Sequence, residues 1–275
     1  MEIVLLGTGS PIPDANRAGP ATLVKVGELE HVLVDAGRGC VMRMAGAGSL
    51  PINLSGVLIT HLHSDHVTDL NDVITTHWIM SQEPTPLRIW GPPGIRQFVD
   101  HTMAALAPDL TYRTEHHDDL TWTPILEVSE VSTGDRFEVG SAQVDVHETM
   151  HAPADPTIGF RIEHAGLVVA LAGDTIPCPG LDRLTQDADA YVQTVIDDDL
   201  VRLIAIPRLL DILDYHSSVR QAAQVAARNK VKRLVLTHMV PAPRPEQYPA
   251  WVAAGAEHFD GEIIIGDDLT VVQLG

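Results

Sequence analysis

Short apolar stretches recur along the chain, and each is bounded by Gly, Pro, Asn, Asp or another polar residue. Runs of this length with such boundaries are typical of buried β-strands. The predicted strands cover residues 3–6, 21–26, 32–34, 57–60, 87–90, 167–171, 234–237 and 263–265. Apolar positions at helical spacing predict a helix over 95–106 that stops at Pro108, and Ser218 caps a second helix over 219–228. Alternating strands and helices indicate a layered α/β protein.

The length of 275 residues allows one large domain or two small ones. Because no Ser/Gly-rich, charged or low-complexity linker interrupts the chain, residues 1–275 are expected to form a single domain. The 18 basic residues are outnumbered by 37 acidic ones, which gives a formal net charge of −19. A surface this acidic repels phosphate backbones and anionic membranes. Both a nucleic-acid partner and a membrane partner are therefore not expected.

The two cysteines, Cys40 and Cys178, are too few for a disulfide framework and fit a reducing compartment. The first residues carry an acid where a secretory signal has basic residues, and no apolar stretch approaches the roughly 18 residues that span a bilayer. The expected location is the cytoplasm.

One motif stands out, and it follows the predicted strand that ends at residue 60. His61, His63, Asp65 and His66 lie within six residues. Imidazole nitrogens and carboxylate oxygens are the ligands of catalytic rather than structural zinc sites. The spacing therefore predicts a metal site at the end of this strand.

Three further ligand types follow other predicted strands: His151, Asp174 and His238. Ligands gather at the carboxyl ends of strands in open α/β sheets, so these clusters can converge on one crevice. Together with the motif they offer five histidines and two aspartates, enough for two metal ions that share a carboxylate and a hydroxide.

These residues resemble the metallo-β-lactamase fold and, in detail, its ribonuclease Z and arylsulfatase-like branch. The likeness lies in the His-x-His-x-Asp-His motif and in residues 6–11, 34–37, 172–175 and 215–218. The resemblance implies an α/β fold, a four-layer αβ/βα sandwich with the metal site at one edge between two sheets. It also implies two Zn²⁺ per chain, with Mn²⁺ or iron as alternatives, and a homodimer.

The resemblance further assigns roles to individual residues. One zinc is expected on His61, His63 and His151, the other on Asp65, His66 and His238, with Asp174 bridging the two. Asp35 is expected to orient the site, and His216 is expected to act in catalysis beside Asp65.

The expected activity is that of a dinuclear zinc hydrolase, in which a metal-held hydroxide cleaves ester bonds of small anionic or aryl substrates such as phosphodiesters or sulfates. A tRNA 3′-processing endoribonuclease is the alternative, and a lactonase, a β-lactamase-type hydrolase or a sensor module with iron or no metal are further ones. The long tRNA-binding arm that some ribonuclease Z enzymes carry has no room here, because only 22 residues separate His151 from Asp174. Trp78, Tyr248 and Trp251 are expected to form apolar walls over the metals.

Overall fold

The computed structural model describes residues 1–204 and 206–275, and within these residues the strands form two mixed sheets. The strands are β1 (Glu2–Gly7), β2 (Ala21–Lys25), β3 (His31–Val34), β4 (Leu54–Leu58), β5 (Pro86–Gly91), β6 (Ile125–Glu130), β7 (Arg136–Val139), β8 (Ala142–His151), β9 (Ala154–His164), β10 (Leu167–Leu171), β11 (Ala190–Ile196), β12 (Arg233–Val240), β13 (Glu262–Ile265) and β14 (Val271–Gln273). The first sheet has the order β14-β1-β2-β3-β4-β5-β6, and the second has the order β13-β12-β11-β10-β9-β8-β7. Every strand predicted from the sequence overlaps one of these.

The helices of the described residues are α1 (Cys40–Gly46), α2 (Ser64–Val67), α3 (Leu70–Met80), α4 (Ile95–His116), α5 (Pro179–Thr185), α6 (Asp198–Leu203), α7 (Pro207–Leu210), α8 (Val219–Arg228) and α9 (Tyr248–Ala256). Of these, α1, α3 and α4 pack on the outer face of the first sheet, and α5, α8 and α9 pack on that of the second. The predicted helix over 219–228 is confirmed, and the Ser218 hydroxyl accepts a hydrogen bond from the Gln221 N–H at its start. Among the described residues, no helix combines the length and the apolar character that crossing a membrane requires.

Successive side chains of a strand point to opposite faces of the sheet, and three apolar cores therefore form between four layers of helices and sheets. Ile3 and Leu5 of β1 belong to the core between the sheets, together with Phe160 of β9, whereas Val4 and Leu6 belong to the core under α1, α3 and α4. A third core lies between the second sheet and helices α5, α8 and α9. This αβ/βα arrangement confirms the predicted four-layer sandwich.

The predicted stop of a helix at Pro108 is wrong, because α4 continues to His116. Proline removes one N–H donor and clashes with the carbonyl four residues earlier, here that of Ala104. Ala104 is exposed, so its freed carbonyl can be hydrated, while the buried Leu110 holds the second half of the helix against the protein. Tertiary packing therefore outweighs the local signal.

Strand direction brings the chemically important residues to one edge of the sandwich. Strands β10, β11 and β12 are mutually parallel, and β8 has the same direction because β9 runs antiparallel to both β8 and β10. In the first sheet, β3 and β4 are parallel as well. The carboxyl ends of β3, β4, β8, β10 and β12 precede or contain the residues of the site described next.

Candidate metal centre

The first ligand group joins residues from three strand ends. The Nε2 atoms of His61 and His151 lie 3.1 and 3.2 Å from Nδ1 of His63, and Oδ2 of Asp174 lies 3.9 Å from His61 Nε2 and 3.6 Å from His151 Nε2. One ligand atom from each of these four residues lies within 4.8 Å of the others. The four residues can therefore surround a single ion.

The second group lies directly beside the first and contains Asp65, His66 and His238. His238 Nε2 lies 3.2 Å from Asp65 Oδ2, and His66 Nε2 lies 3.7 Å from the same oxygen. Asp174 Oδ2 is also 3.5 Å from His66 Nε2 and 3.6 Å from His238 Nε2. This one oxygen thus faces both groups, and the structure brings together all seven residues that the sequence predicts as ligands. Their role as ligands stays a prediction.

Unusual backbone geometry supports this convergence. Asp35 and His238 have φ angles of 60° and 46°, in the left-handed region that non-glycine residues rarely adopt. Gly173, directly before Asp174, has a φ of 63°, and a Cβ atom there would lie 2.8 Å from the Thr60 side chain. Only glycine permits this close approach of the Asp174 loop to the end of β4.

Hydrogen bonds at the far side of three rings fix which ring nitrogen is unprotonated. His66 Nδ1 donates to Asp35 Oδ2 at 2.8 Å, and His151 Nδ1 donates to the Tyr215 carbonyl at 2.8 Å. The Thr60 hydroxyl donates to Asp35 and therefore accepts from His61 Nδ1 at 3.0 Å. Because Nδ1 is committed to these acceptors, Nε2 is the nitrogen of each ring that can bind an ion in the cluster, as in carboxylate–histidine–metal arrangements.

Burial and neighbouring charges shift the histidine pKa values in opposite directions in the two ligand groups. Burial lowers the pKa of His151 to about 4 and lowers that of His61 well below its ordinary value, against the opposing effect of Asp174. Burial also disfavours the protonated forms of His66 and His238. The adjacent Asp174 carboxylate outweighs this effect of burial and raises the pKa of both histidines. The two imidazoles in turn hold the pKa of Asp174 well below its usual range despite its burial. The Asp174 carboxylate and the His61 and His151 imidazoles are thus in the forms that bind metal, whereas His66 and His238 must each give up a proton when an ion binds.

The polar atoms inside the cluster fit a cation. Among the described residues, buried His66 Nε2 and Asp174 Oδ1 have no hydrogen-bond partner. The lone pairs of His61 and His151 also face a single nitrogen of His63, whose one proton can satisfy only one of them. A bound ion removes this deficit, since buried polar groups are normally satisfied. Nitrogen and carboxylate donors of this kind suit zinc, and also manganese or iron.

His216 lies beside the cluster, where its Nε2 is 3.3 Å from Asp174 Oδ2. Its Nδ1 is 3.3 Å from the Ile212 carbonyl, which is an acceptor and fixes a proton on Nδ1. These residues line the metal pocket, a cavity of about 210 Å³. Its lining consists of Ser10, Pro11, Ile12, His63, Asp65, His151, Asp174, Leu209, Ile212, Tyr215, His216, His238 and Val240.

The expected aromatic walls are absent from the lining of this metal pocket. Trp78 is buried within the protein, where its Nε1 donates to the Trp122 carbonyl. Trp251 packs into the core under α8 and α9, and the Tyr248 hydroxyl hydrogen-bonds Asp267. Hydrophobic size alone did not distinguish pocket from core. The apolar wall is instead made by Ile12 and by the segment with Leu209 and Ile212, which the sequence reasoning missed.

Two orienting groups were missed as well. Thr60 directly precedes the histidine motif, so its position was a usable signal for a residue supporting His61. Tyr215 acts through its backbone carbonyl, which no side-chain motif can reveal.

The fold and this cluster define a metal-dependent hydrolase that acts on ester bonds, and they imply a divalent metal ion. Comparison with known proteins shows the superfamily and the fold. The beta-lactamase superfamily domain matches residues 30–239 of the chain. A metallo-β-lactamase-fold protein from Bacillus subtilis, YhfI, aligns with a TM-score of 0.77 at 18% identity, over 99% of each chain. The short form of human tRNase Z aligns with a TM-score of 0.74 at 24% identity, over the whole of both chains.

Relatives with higher sequence identity show which family within this superfamily the chain belongs to. Proteins named ribonuclease Z from Mycolicibacterium gilvum (strain PYR-GCK) and Mycobacterium bovis (strain BCG / Pasteur 1173P2) are each 50% identical over 276 residues. The alignments cover 100% of this chain and 96% and 98% of the two relatives. The chain therefore belongs to the beta-lactamase superfamily and, within it, to the ribonuclease Z family.

The expectation of a small ester substrate without nucleic acid is wrong, because these relatives are ribonucleases by name. The missing arm does not discriminate: the alignments cover nearly the whole length of the relatives, so they have no room for a long arm either. The net charge also gave the wrong expectation about the substrate, because it says nothing about how charges are distributed around one site.

Proposed function

We propose that this chain is an endoribonuclease of the ribonuclease Z type, which cleaves the 3′ extension of precursor tRNA with two zinc ions per chain. The observation that carries the proposal is the 50% identity to proteins named ribonuclease Z over the full chain. The two adjoining ligand groups, with Asp174 Oδ2 facing both, support the stoichiometry of two ions.

The ligand assignment in this proposal follows the two groups. His61, His63 and His151 would hold one ion, Asp65, His66 and His238 would hold the other, and Asp174 would be shared by both. When bound, the ions would supply positive charge to a phosphodiester and lower the pKa of water. Asp35 and the Tyr215 carbonyl keep His66 and His151 in the tautomers that binding requires.

The chain's own groups move the protons of the reaction. Hydrolysis forms a bond from a water oxygen to phosphorus and breaks the bond from phosphorus to one ribose oxygen. The neighbouring His238 lowers the pKa of Asp65 despite its burial, so this carboxylate is ionised at neutral pH and accepts a proton from water. His216 lines the metal pocket and has an acceptor at each ring nitrogen, the Ile212 carbonyl at Nδ1 and Asp174 Oδ2 at Nε2; when both nitrogens carry a proton, it donates the one on Nε2 to the leaving ribose oxygen.

Cleavage of a 3′-extended precursor tRNA by the zinc-loaded protein tests the proposal. We expect a single cut at the 3′ side of the tRNA body, abolished by a chelator and restored by zinc. The variant His216→Asn should lose about 100-fold or more in rate, as general acid–base groups contribute. The matched control His164→Asn changes a half-buried histidine at the end of β9 remote from the metal centre and should cleave normally. A protein that hydrolyses bis-p-nitrophenyl phosphate but leaves the precursor intact would refute the proposed function.

A further inference from the structure

A second and larger cavity of about 750 Å³, here called the polar cavity, adjoins the metal pocket. Two chain segments run from the lining of one cavity into the lining of the other. Ser10–Ile12 and Val240 line the metal pocket, while the residues that follow, from Asp14 to Arg17 and from Ala242 to Pro245, line the polar cavity. A polymer whose scissile bond lies in the metal pocket can therefore continue directly into the polar cavity.

Two of the three arginines in the polar cavity are already committed to partners in the protein. The buried Arg17 guanidinium donates to Thr8, Tyr248 and the Gly266 carbonyl and pairs with Asp267 at 2.7 Å. Arg43 pairs with Asp268 at 2.8 Å. These ion pairs fix the walls and leave no net charge for a ligand.

Arg244 is different, because it lies in the polar cavity without an acidic partner. Among the described residues, no carboxylate lies within 4 Å of six basic side chains: Arg38, Arg96, Arg161, Arg208, Lys230 and Arg244. Of these six, Arg244 is the one that lines the polar cavity, and its side chain is exposed. The Asp14 carboxylate is also part of the lining and accepts a hydrogen bond from the Asn16 N–H.

The densest basic run of the sequence offers no comparable site. Within residues 228–233, Arg228 pairs with Asp182, Lys232 with Asp189, and Arg233 with Glu262. This run also precedes β12, whereas His238 lies near the carboxyl end of that strand, so the run lies at the far end of the sheet.

We propose that the polar cavity is a subsite for a backbone phosphate of RNA next to the bond that is cut, and that the Arg244 guanidinium binds this phosphate. The proposal rests on the proposed function. A guanidinium binds phosphate through charge-assisted, bidentate hydrogen bonds. The scissile phosphate itself would lie in the neighbouring metal pocket.

The salt dependence of precursor tRNA cleavage tests this subsite. One lost phosphate contact reduces the slope of log(kcat/KM) against log[salt] by about 0.7 to 1. Arg244→Gln should therefore reduce kcat/KM about five-fold at 0.1 M salt but less than about two-fold at 0.5 M. Arg244→Lys restores the charge and should recover most of the slope, which a purely structural role of the guanidinium would not predict. The control Lys230→Gln removes another unpaired cation, far from the metals, and should keep the parental slope.

Two failures can be told apart. If the parental protein cleaves precursor tRNA but Arg244→Gln and Lys230→Gln have the same slope, the subsite is refuted and the proposed function stands. If the parental protein cleaves no precursor under any salt condition, the proposed function is refuted, and the subsite with it.

Discussion

Asp35 is the residue through which the orientation of both ligand groups can be tested. Its carboxylate accepts from His66 Nδ1 and from the Thr60 N–H, both at 2.8 Å, and from the Thr60 hydroxyl that in turn holds His61. In Asp35→Asn the amide oxygen can still accept from the Thr60 N–H. The amide nitrogen then replaces the oxygen that faced His66 Nδ1. Because two donors cannot face each other, His66 must move its proton to Nε2, the atom that points at Asp174 and Asp65.

The size of the effect follows from what is lost. His66 loses the lone pair that would bind an ion, unless its ring turns away from the position that packing gives it. Removing an outer hydrogen-bond partner of a metal ligand typically costs about 10- to 100-fold in metal affinity or activity. We expect zinc to bind about 100-fold more weakly to Asp35→Asn, which corresponds to about 2.7 kcal/mol.

The measurement is a zinc titration of the metal-free protein against a competing chelator, with the number of ions per chain counted separately. Asp189→Asn is the matched control, because Asp189 is also a buried carboxylate that accepts from a backbone N–H, that of Val168. It lies at the start of β11, at the end of the sheet away from the cluster. Both variants should lose some stability, but only Asp35→Asn should lose zinc affinity. An Asp35→Asn protein with parental zinc affinity would refute the orientation argument.

Further predictions concern the metal itself. Asp174→Ala removes the oxygen that faces both groups, so elemental analysis should find both ions lost and activity lowered about 100-fold or more; retention of two ions would rule out bridging. Zinc at 100 to 1,000 times its Kd should stabilise the fold by about 2.7 to 4 kcal/mol, seen as a Tm that falls on chelation; an unchanged Tm would argue against a metal site. Because the pKa values of His66 and His238 are raised, both carry protons that zinc must displace. Zinc affinity should therefore fall as pH falls, with proton release visible as a buffer-dependent binding enthalpy; pH-independent affinity would contradict this.

The sequence predicted the fold to the extent that local pattern decided it. Strands buried on both faces appear as continuous apolar runs, which is why β1, β10 and β12 were visible. The capping box at Ser218 fixed the start of α8 in the same way. Pro108 shows the limit, because whether a freed carbonyl is hydrated depends on exposure, which is a property of the tertiary structure.

The candidate site was predictable where side-chain chemistry and strand ends coincide. His61, His63, Asp65 and His66 form a local motif, but the convergence of distant residues depends on strand directions that one sequence states only indirectly. Backbone groups leave no residue signature, so the Tyr215 carbonyl was invisible. The apolar wall was misplaced because Trp78 and Leu209 look alike in hydropathy, whereas the topology buries only the first of them.

The net charge of the whole protein does not decide which substrate binds at one site. Exposed charges are screened beyond about 10 Å at 0.1 M salt, so a ligand at one site responds to the charges within that distance and not to the total of −19. Most basic side chains are paired with carboxylates, and the polar cavity contains two such pairs, the unpaired Arg244 and the unpaired Asp14. Under the proposed function, RNA binding depends on local contacts, at the metal centre and at Arg244, and not on the net charge of the protein. Since each phosphate contact steepens the salt dependence of binding, RNA binding here should depend on salt much less steeply than in proteins with extended basic surfaces.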